Sequence, residues 1–142
     1  MSQTHELVIR PFDNSDRQRV VDLWNVVFTD EPPWNDPEQL IARKLTVQPE
    51  LFLVGALGDR IVGALMAGFD GVRGWIHHLA VHPEARGRGV ATKLVRAAES
   101  GLATMGCPKV NLQVRETNRE VLAFYHALGY STEARESLGR RL

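Results

Sequence analysis

The chain is poor in several features that mark particular classes of protein. It has one cysteine among 142 residues, which excludes an internal disulfide. No apolar run reaches the roughly 18 residues of a membrane-spanning helix, and residues 1–6 carry no signal-peptide pattern. We therefore expect a cytoplasmic protein with no membrane partner. The single cysteine, Cys107, stands in a Gly-Cys-Pro turn, where we expect a partly buried structural thiol.

Net charge is also lacking, because 17 basic and 17 acidic residues cancel. Without a global field, we expect no binding to nucleic acid or to an anionic membrane. Repeats and linkers are absent, and the length suits one domain over residues 1–142. His77, His78 and His82 lie on one strand pattern at positions that do not converge, and no carboxylate or thiolate cluster accompanies them. We therefore expect no metal site.

The most informative stretch that is present is residues 79–91, an apolar strand pattern followed by Arg86-Gly87-Arg88-Gly89 and then a helix. A strand that enters a helix through a glycine-rich turn directs unpaired backbone N–H groups at one point, where a phosphate binds. Gly87 and Gly89 leave the backbone open to an anion and tolerate positive φ. An isolated turn of this composition is typical of a protein surface, but the flanking strand and amphipathic helix favour the phosphate interpretation.

Periodicity predicts an α+β chain. Strands are expected at 6–10, 51–56, 60–68, 75–81 and 109–114, with a tight turn at 57–59 and a final extended segment at 130–142. Helices are expected up to about residue 28, at 37–45, at 88–105 and up to about 128. The predicted N-terminal caps are Asn14 or Ser15, then Asp36, and finally Thr117 with Glu120 as a capping box.

These residues resemble the GCN5-related N-acetyltransferases, or GNAT family, whose signature is Arg or Gln, two residues, Gly, one residue, then Gly or Ala. The sequence has Arg86-x-x-Gly89-x-Ala91. A second family element is matched by Asn118, Ala123, Phe124, Tyr125, Gly129 and Tyr130. The resemblance covers residues 74–130, and the remainder looks like the small bacterial YpeA-type branch.

The resemblance implies a GNAT fold, with a central mixed, mostly antiparallel twisted sheet of six to seven strands and about four helices on both faces. It implies acetyl-coenzyme A as co-substrate and a primary amine of a small molecule or peptide as acceptor, attacking directly in a ternary complex. The coenzyme-binding residues it implies are Leu79, Ala80, Val81, Arg86, Gly87, Arg88, Gly89, Val90, Ala91, Asn118 and Tyr125.

The reaction needs a base for the amine, whose unperturbed pKa is about 10.4, and an acid for the departing thiolate. Tyr125 matches the family tyrosine that faces the coenzyme sulfur, although it could also be a core aromatic. Many family members carry a strand glutamate as base, which residues 75–78 lack. His77 or His78 could replace it. Strand alternation places the two on opposite faces, so at most one is expected to face the acceptor.

The loop at 29–36 corresponds to the family segment that closes over the acceptor. Trp34 offers an apolar wall, and Asp30 and Glu31 could attract a cationic amine. The same loop could equally be a stiff interhelix turn with Trp34 packed on the core.

Two function classes remain open at this point. One is a catalytic N-acetyltransferase, and the other is a coenzyme A-binding module or sensor without turnover, which the missing strand glutamate permits. Nucleic-acid binding by Arg86 and Arg88 is less favoured, because no wider basic stripe is present. The sequence also leaves room for a homodimer.

Overall fold

The computed structural model describes residues 5–142. The chain divides into two compact units, one ending at Leu112 and one beginning at Gln113. The first unit contains β1 (Leu7–Pro11), α1 (Arg17–Val27), α2 (Pro37–Lys44), β2 (Phe52–Leu57), β3 (Arg60–Phe69), β4 (Gly74–Val81), α3 (Val90–Thr104) and β5 (Val110–Leu112). The second contains α4 (Arg119–Ala127). The single domain over residues 1–142 stays a prediction, and the signal-peptide prediction falls largely on residues 1–4, outside the described residues.

The first unit is built on one mixed, mostly antiparallel sheet, as expected. Its strand order is β1-β2-β3-β4-β5, and the first four strands pair antiparallel. Because β5 runs parallel to β4, the chain needs a crossover between them, which α3 provides. The predicted turn between β2 and β3 is confirmed, with Gly58 at a φ of 61°.

The expectation of six to seven strands is wrong, because the described residues form five. Residues 130–142, predicted as a final extended segment, contain no strand, and residues 131–142 are all exposed. The physical reason is their composition. Charged and small residues surround Leu138, which is 93% exposed, so this segment has no alternating apolar face to bury against a sheet.

The sheet separates two layers of helices. Val54 belongs to a core cluster with Val20 and Trp24 of α1, whereas a Cβ added at the next residue, Gly55, would lie 3.3 Å from Val90 of α3. Because consecutive strand residues point to opposite faces, α1 and α3 cover opposite faces of the sheet. Among residues 5–142, no helix has the length and apolar character to cross a membrane.

The start of α1 differs from the prediction, since neither Asn14 nor Ser15 is the cap. The Asp13 carboxylate accepts from Ser15 N in a short 3₁₀ turn, and the buried Asp16 carboxylate accepts from Asp13 N at 2.8 Å. Asp16 also accepts two hydrogen bonds from Arg10, at 2.7 and 2.9 Å. An aspartate fits this place because a carboxylate can accept all three bonds, which a serine hydroxyl cannot.

Caps were also predicted for α2 and α4, and the structure confirms the first and replaces the second. The predicted cap of α2 is confirmed, since the Asp36 carboxylate accepts from Gln39 N at 3.1 Å. In the second unit, Asn118 caps α4 by accepting from Val121 N at 3.3 Å, in place of the predicted capping box of Thr117 and Glu120.

Candidate active site

The glycine-rich turn between β4 and α3 presents a row of free backbone donors. Gly87 and Gly89 have φ of 81° and 75°. The first hydrogen bond of α3 runs from Lys93 N to Gly89 O, so the amides of residues 87–92 meet no acceptor among the described residues. A Cβ at either glycine would meet nothing within 4 Å. Open space before unpaired amides at a helix N-terminus fits a phosphate or pyrophosphate group.

A β-bulge interrupts β4 just before this turn. Ala64 of β3 pairs with Ala80 and Met66 pairs with His77, so two β4 residues, His78 and Leu79, oppose one residue of β3. His78 takes up the irregularity with a φ of 53°, in the left-handed region that residues other than glycine rarely adopt.

The bulge brings both histidines to one wall. A cavity of about 470 Å³, here called the α2 cavity, is lined by α2, the segment after it, and the adjoining ends of β3 and β4. Its lining includes both His77 and His78. The strand alternation behind the prediction that at most one of them faces the acceptor is thus broken between the two residues, and which of them faces the acceptor stays a prediction.

The His78 ring lies in an aromatic corner beside a carboxylate. Its centroid is 5.5 Å from that of Trp24 and 5.1 Å from that of Phe28, both edge-on. His78 Nε2 is buried without a hydrogen bond and lies 3.6 Å from Glu31 Oε1. Burial lowers the pKa of the His78 imidazole, the Glu31 charge partly opposes this, and His77 adds to it. A neutral imidazole is thus favoured at pH 7.

His77 occupies a different environment on the same wall. Its ring stacks on Trp75, with centroids 6.4 Å apart. Desolvation and then the positive charge of Lys44 lower the pKa of His77. Both imidazoles are therefore favoured in the neutral form at pH 7, the form in which one ring nitrogen has a free lone pair for a proton.

The three residues predicted to bind the acceptor do not line the α2 cavity. Asp30 is exposed, and Trp34 is 47% exposed. The Glu31 carboxylate accepts from Asn35 Nδ2 at 3.0 Å and faces His78, while Asn35 itself lines the cavity.

Sequence reasoning missed the opposite wall, which α2 and the following residues build. Lys44 donates to the carbonyl oxygens of Val47 and Ala67. Gln48 exchanges two hydrogen bonds with the Phe69 backbone, at 2.9 and 2.7 Å, and thereby extends the sheet with a side chain. A lysine at the end of a helix and a glutamine in a loop carry no local signal of such contacts.

Tyr125 and Asn118 belong to the second unit. The Tyr125 ring is 5% exposed and packs edge-on against Phe124 and Tyr130, at 5.0 and 5.5 Å between centroids. Burial raises the pKa of Tyr125 to about 12, so its phenol stays protonated across the neutral range. Asn118 uses its side chain as the α4 cap.

His82 also has a local structural contact, because its Nδ1 accepts from Glu84 N at 3.1 Å. Within residues 5–142, no three His, Cys, Asp or Glu side chains are grouped as metal ligands would be.

Comparison with known proteins identifies the family. The family model described as the acetyltransferase (GNAT) family matches residues 17–130, and the chain belongs to this family. An acetyltransferase of Yersinia enterocolitica is 47% identical over 134 residues, and one of Pectobacterium atrosepticum is 46% identical. Each match covers 94% of this chain and 94% of the relative.

Solved structures share the fold. Ard1 from Thermoplasma volcanium is 26% identical with a TM-score of 0.81, covering 90% of this chain and 84% of that one. The aminoglycoside N-acetyltransferase AAC(6′)-Iy, solved in complex with CoA, has a TM-score of 0.80 over 99% of this chain and 98% of its own. At 17% identity, the second likeness shows the fold alone.

Proposed function

We propose that this acetyltransferase moves the acetyl group of acetyl-coenzyme A to a primary amine of a small molecule or a peptide. The amine attacks the thioester directly in a ternary complex. The observation that carries the proposal is the row of unpaired amides at residues 87–92 before open space. Those amides and the positive end of the α3 dipole bind the pyrophosphate, with Arg86 and Arg88 flanking them. Leu79, Ala80 and Val81 supply backbone groups to the pantetheine arm, as the family resemblance implies.

In this proposal His78 is the general base. An amine of pKa about 10.4 is neutral in roughly one molecule in a thousand at pH 7, so its proton must be removed as it reacts. His78 is favoured over His77 because the chain holds it in a strained backbone conformation, a cost of about 1–3 kcal/mol that tends to persist at functional sites. His78 accepts the amine proton as the new C–N bond forms.

Tyr125 is the proposed general acid. A phenol with a raised pKa keeps its proton until it is needed, and it donates that proton to the sulfur as the C–S bond breaks. The assignment depends on the family resemblance at Asn118, Tyr125 and Gly129. An acceptor that enters as an ammonium loses two N–H protons in becoming an amide: one goes to solvent before the attack, and His78 accepts the other as the C–N bond forms. Tyr125 gives one proton to the sulfur. His78 then loses its proton and Tyr125 regains one through solvent, so each transfer releases one proton in net.

The test is acetyl transfer by the purified full chain to a panel of amines. We expect at least one N-acetylated product by mass spectrometry, which is preferable to a thiol reagent because Cys107 is a free thiol. Arg96→Gln removes an exposed charge on α3 and serves as the surface control.

The outcomes separate the candidate functions. Binding of acetyl-coenzyme A without transfer to any amine would identify a coenzyme-binding module instead. Absence of coenzyme binding would contradict the phosphate-loop assignment itself.

A further inference from the structure

The charges around the α2 cavity are not balanced. Lys44 is half-buried, and its ammonium contacts only carbonyl oxygens, those of Val47 and Ala67, with no ion pair among residues 5–142. Desolvation lowers the pKa of Lys44, and the negative charge of Glu50 partly opposes this. A half-buried ammonium whose hydrogen bonds all go to carbonyl oxygens is costly, and an anion bound directly to it in the cavity would offset that cost.

A second cation lies one residue away. Arg43 also lines the cavity, and its guanidinium makes one long hydrogen bond, 3.4 Å to Trp34 O, with no ion pair in the described part of the chain. A guanidinium in this state retains the paired donors that suit a carboxylate.

The carboxylate in the cavity wall, Asp70, is already engaged. Its Oδ1 accepts from the backbone N–H groups of Val72 and Arg73 at 2.8 Å each, and its Oδ2 accepts from Trp75 Nε1 at 3.2 Å. Asp70 is thus committed to its own turn and is a weak partner for a cationic acceptor.

Apart from the polar side chains of Asn35 and Gln48, the remaining wall is apolar. Leu40, Val47, Met66, Phe69 and Trp75 contribute most of it. A volume of about 470 Å³ falls within the usual range of small-molecule pockets. His78 and Lys44 both line this one cavity, so a single small molecule bound in it can place an amine toward His78 and an anionic group toward Lys44.

We infer that the acceptor is an amine that also carries a carboxylate on an apolar or aromatic skeleton, as in an α-amino acid, with Lys44 and Arg43 binding the carboxylate. This inference rests on the proposed function and narrows its acceptor class. Polycationic amines are disfavoured because their further charges would meet Lys44 and Arg43.

The test compares three acceptors that differ at one group: phenylalanine, phenylalaninamide and phenethylamine, with spermidine as the polycation. We expect kcat/KM for phenylalanine to exceed that for the amide by about 10-fold or more, as for a charge-assisted hydrogen bond. Arg43→Gln and Lys44→Met should each move the ratio toward one, whereas Arg96→Gln should preserve it. A melting curve shows whether Lys44→Met is folded. If it is not, the exposed Arg43→Gln variant still tests the inference.

Each result separates this inference from the proposed function. Equal or better use of the amide or of spermidine overturns the inference while leaving acetyl transfer intact. A ratio that survives both substitutions overturns it as well. If no amine is acetylated, the proposed function fails, and binding of N-acetylphenylalanine is compared with that of its amide by thermal shift. Lack of preference for the carboxylate then overturns the inference independently.

Discussion

His78 and His77 are neighbours on one cavity wall, yet their surroundings differ. We predict that His78→Gln lowers kcat/KM by about 10²- to 10⁴-fold, the usual contribution of a general base. His77→Gln is the matched control and should have a much smaller effect. Because burial lowers the pKa of His78, its base form persists below the ordinary value of about 6.5. The acid limb of the pH–rate profile should therefore have its midpoint below pH 6.5 and disappear in His78→Gln.

Two neighbouring groups shift the pKa of His78 and so can move this limb, namely Glu31 and His77. Glu31 raises the pKa of His78, so Glu31→Gln should move the limb to still lower pH. A limb unchanged in His78→Gln, or abolished in His77→Gln instead, would contradict the assignment of the base.

A single substitution, Tyr125→Phe, tests the proposed general acid. It removes the hydroxyl and keeps the ring, so we predict unchanged affinity for acetyl-coenzyme A and a loss of turnover of about 10- to 10³-fold. The loss should shrink above pH 8.5, about the pKa of a thiol, where the thiolate leaves more readily without help. Binding and rate are measured separately, and an equal loss in both would mean that Tyr125 is structural.

At the scale of elements, the turn before α3 gives a sharp prediction. Gly89→Val should abolish binding of acetyl-coenzyme A, because a branched side chain at a φ of 75° strains the backbone and fills the space before the free amides. Gly71→Val is the matched control, because its φ of 95° imposes similar strain in the turn between β3 and β4. Calorimetric titration should show binding to the control alone, and normal binding by Gly89→Val would refute the phosphate loop.

At the start of α1, the buried carboxylate of Asp16 contributes to the free energy of unfolding through its hydrogen bonds. Hydrogen bonds from Arg10 are the main cause that holds the pKa of Asp16 below its usual range. Because the folded-state pKa is lowered, this stabilisation is present above the unfolded pKa of about 3.9 and is lost as pH falls through the lower folded value. We predict that Asp16→Asn costs about 2 kcal/mol at pH 7. Asp22→Asn, at an exposed site on α1, should cost under about 0.5 kcal/mol in denaturant titrations.

Local sequence signals predicted elements better than they predicted the site. The hairpin at Gly58 and the Asp36 cap followed from turn and capping chemistry, which act over a few residues. The bulge at His78 did not follow, because the pairing of β4 with β3 produces it and no local period encodes that register. The role of Lys44 in the wall of the α2 cavity was missed for the same reason, since Lys44 donates to the carbonyl oxygen of Ala67, which lies 23 residues further along the chain.

At the scale of the whole molecule, the coenzyme should stabilise the fold. At 100 times its dissociation constant, a ligand bound only by the folded chain adds about 2.7 kcal/mol. For a chain of this size, we predict that acetyl-coenzyme A raises Tm by roughly 5–10 °C. Free adenine or acetate should raise it little, because neither carries the pyrophosphate. Comparable shifts with adenine alone would contradict a phosphate-anchored mode of binding.

The bulge in β4 makes the number of residues in this strand important, because one extra residue decides which side chains face the cavity and which face the core. Trp75 and His77 face the α2 cavity before the bulge, and His78 faces it too, while Ala80 lies in the core with α1. Deleting one residue at the bulge would turn every later side chain of β4 to the opposite face of the sheet. It would also change the direction in which the strand enters the glycine-rich turn. A scan of substitutions preserves residue count and cannot detect this dependence. The number of residues between Gly74 and Gly89 should therefore matter for function in its own right, whichever residues occupy those positions.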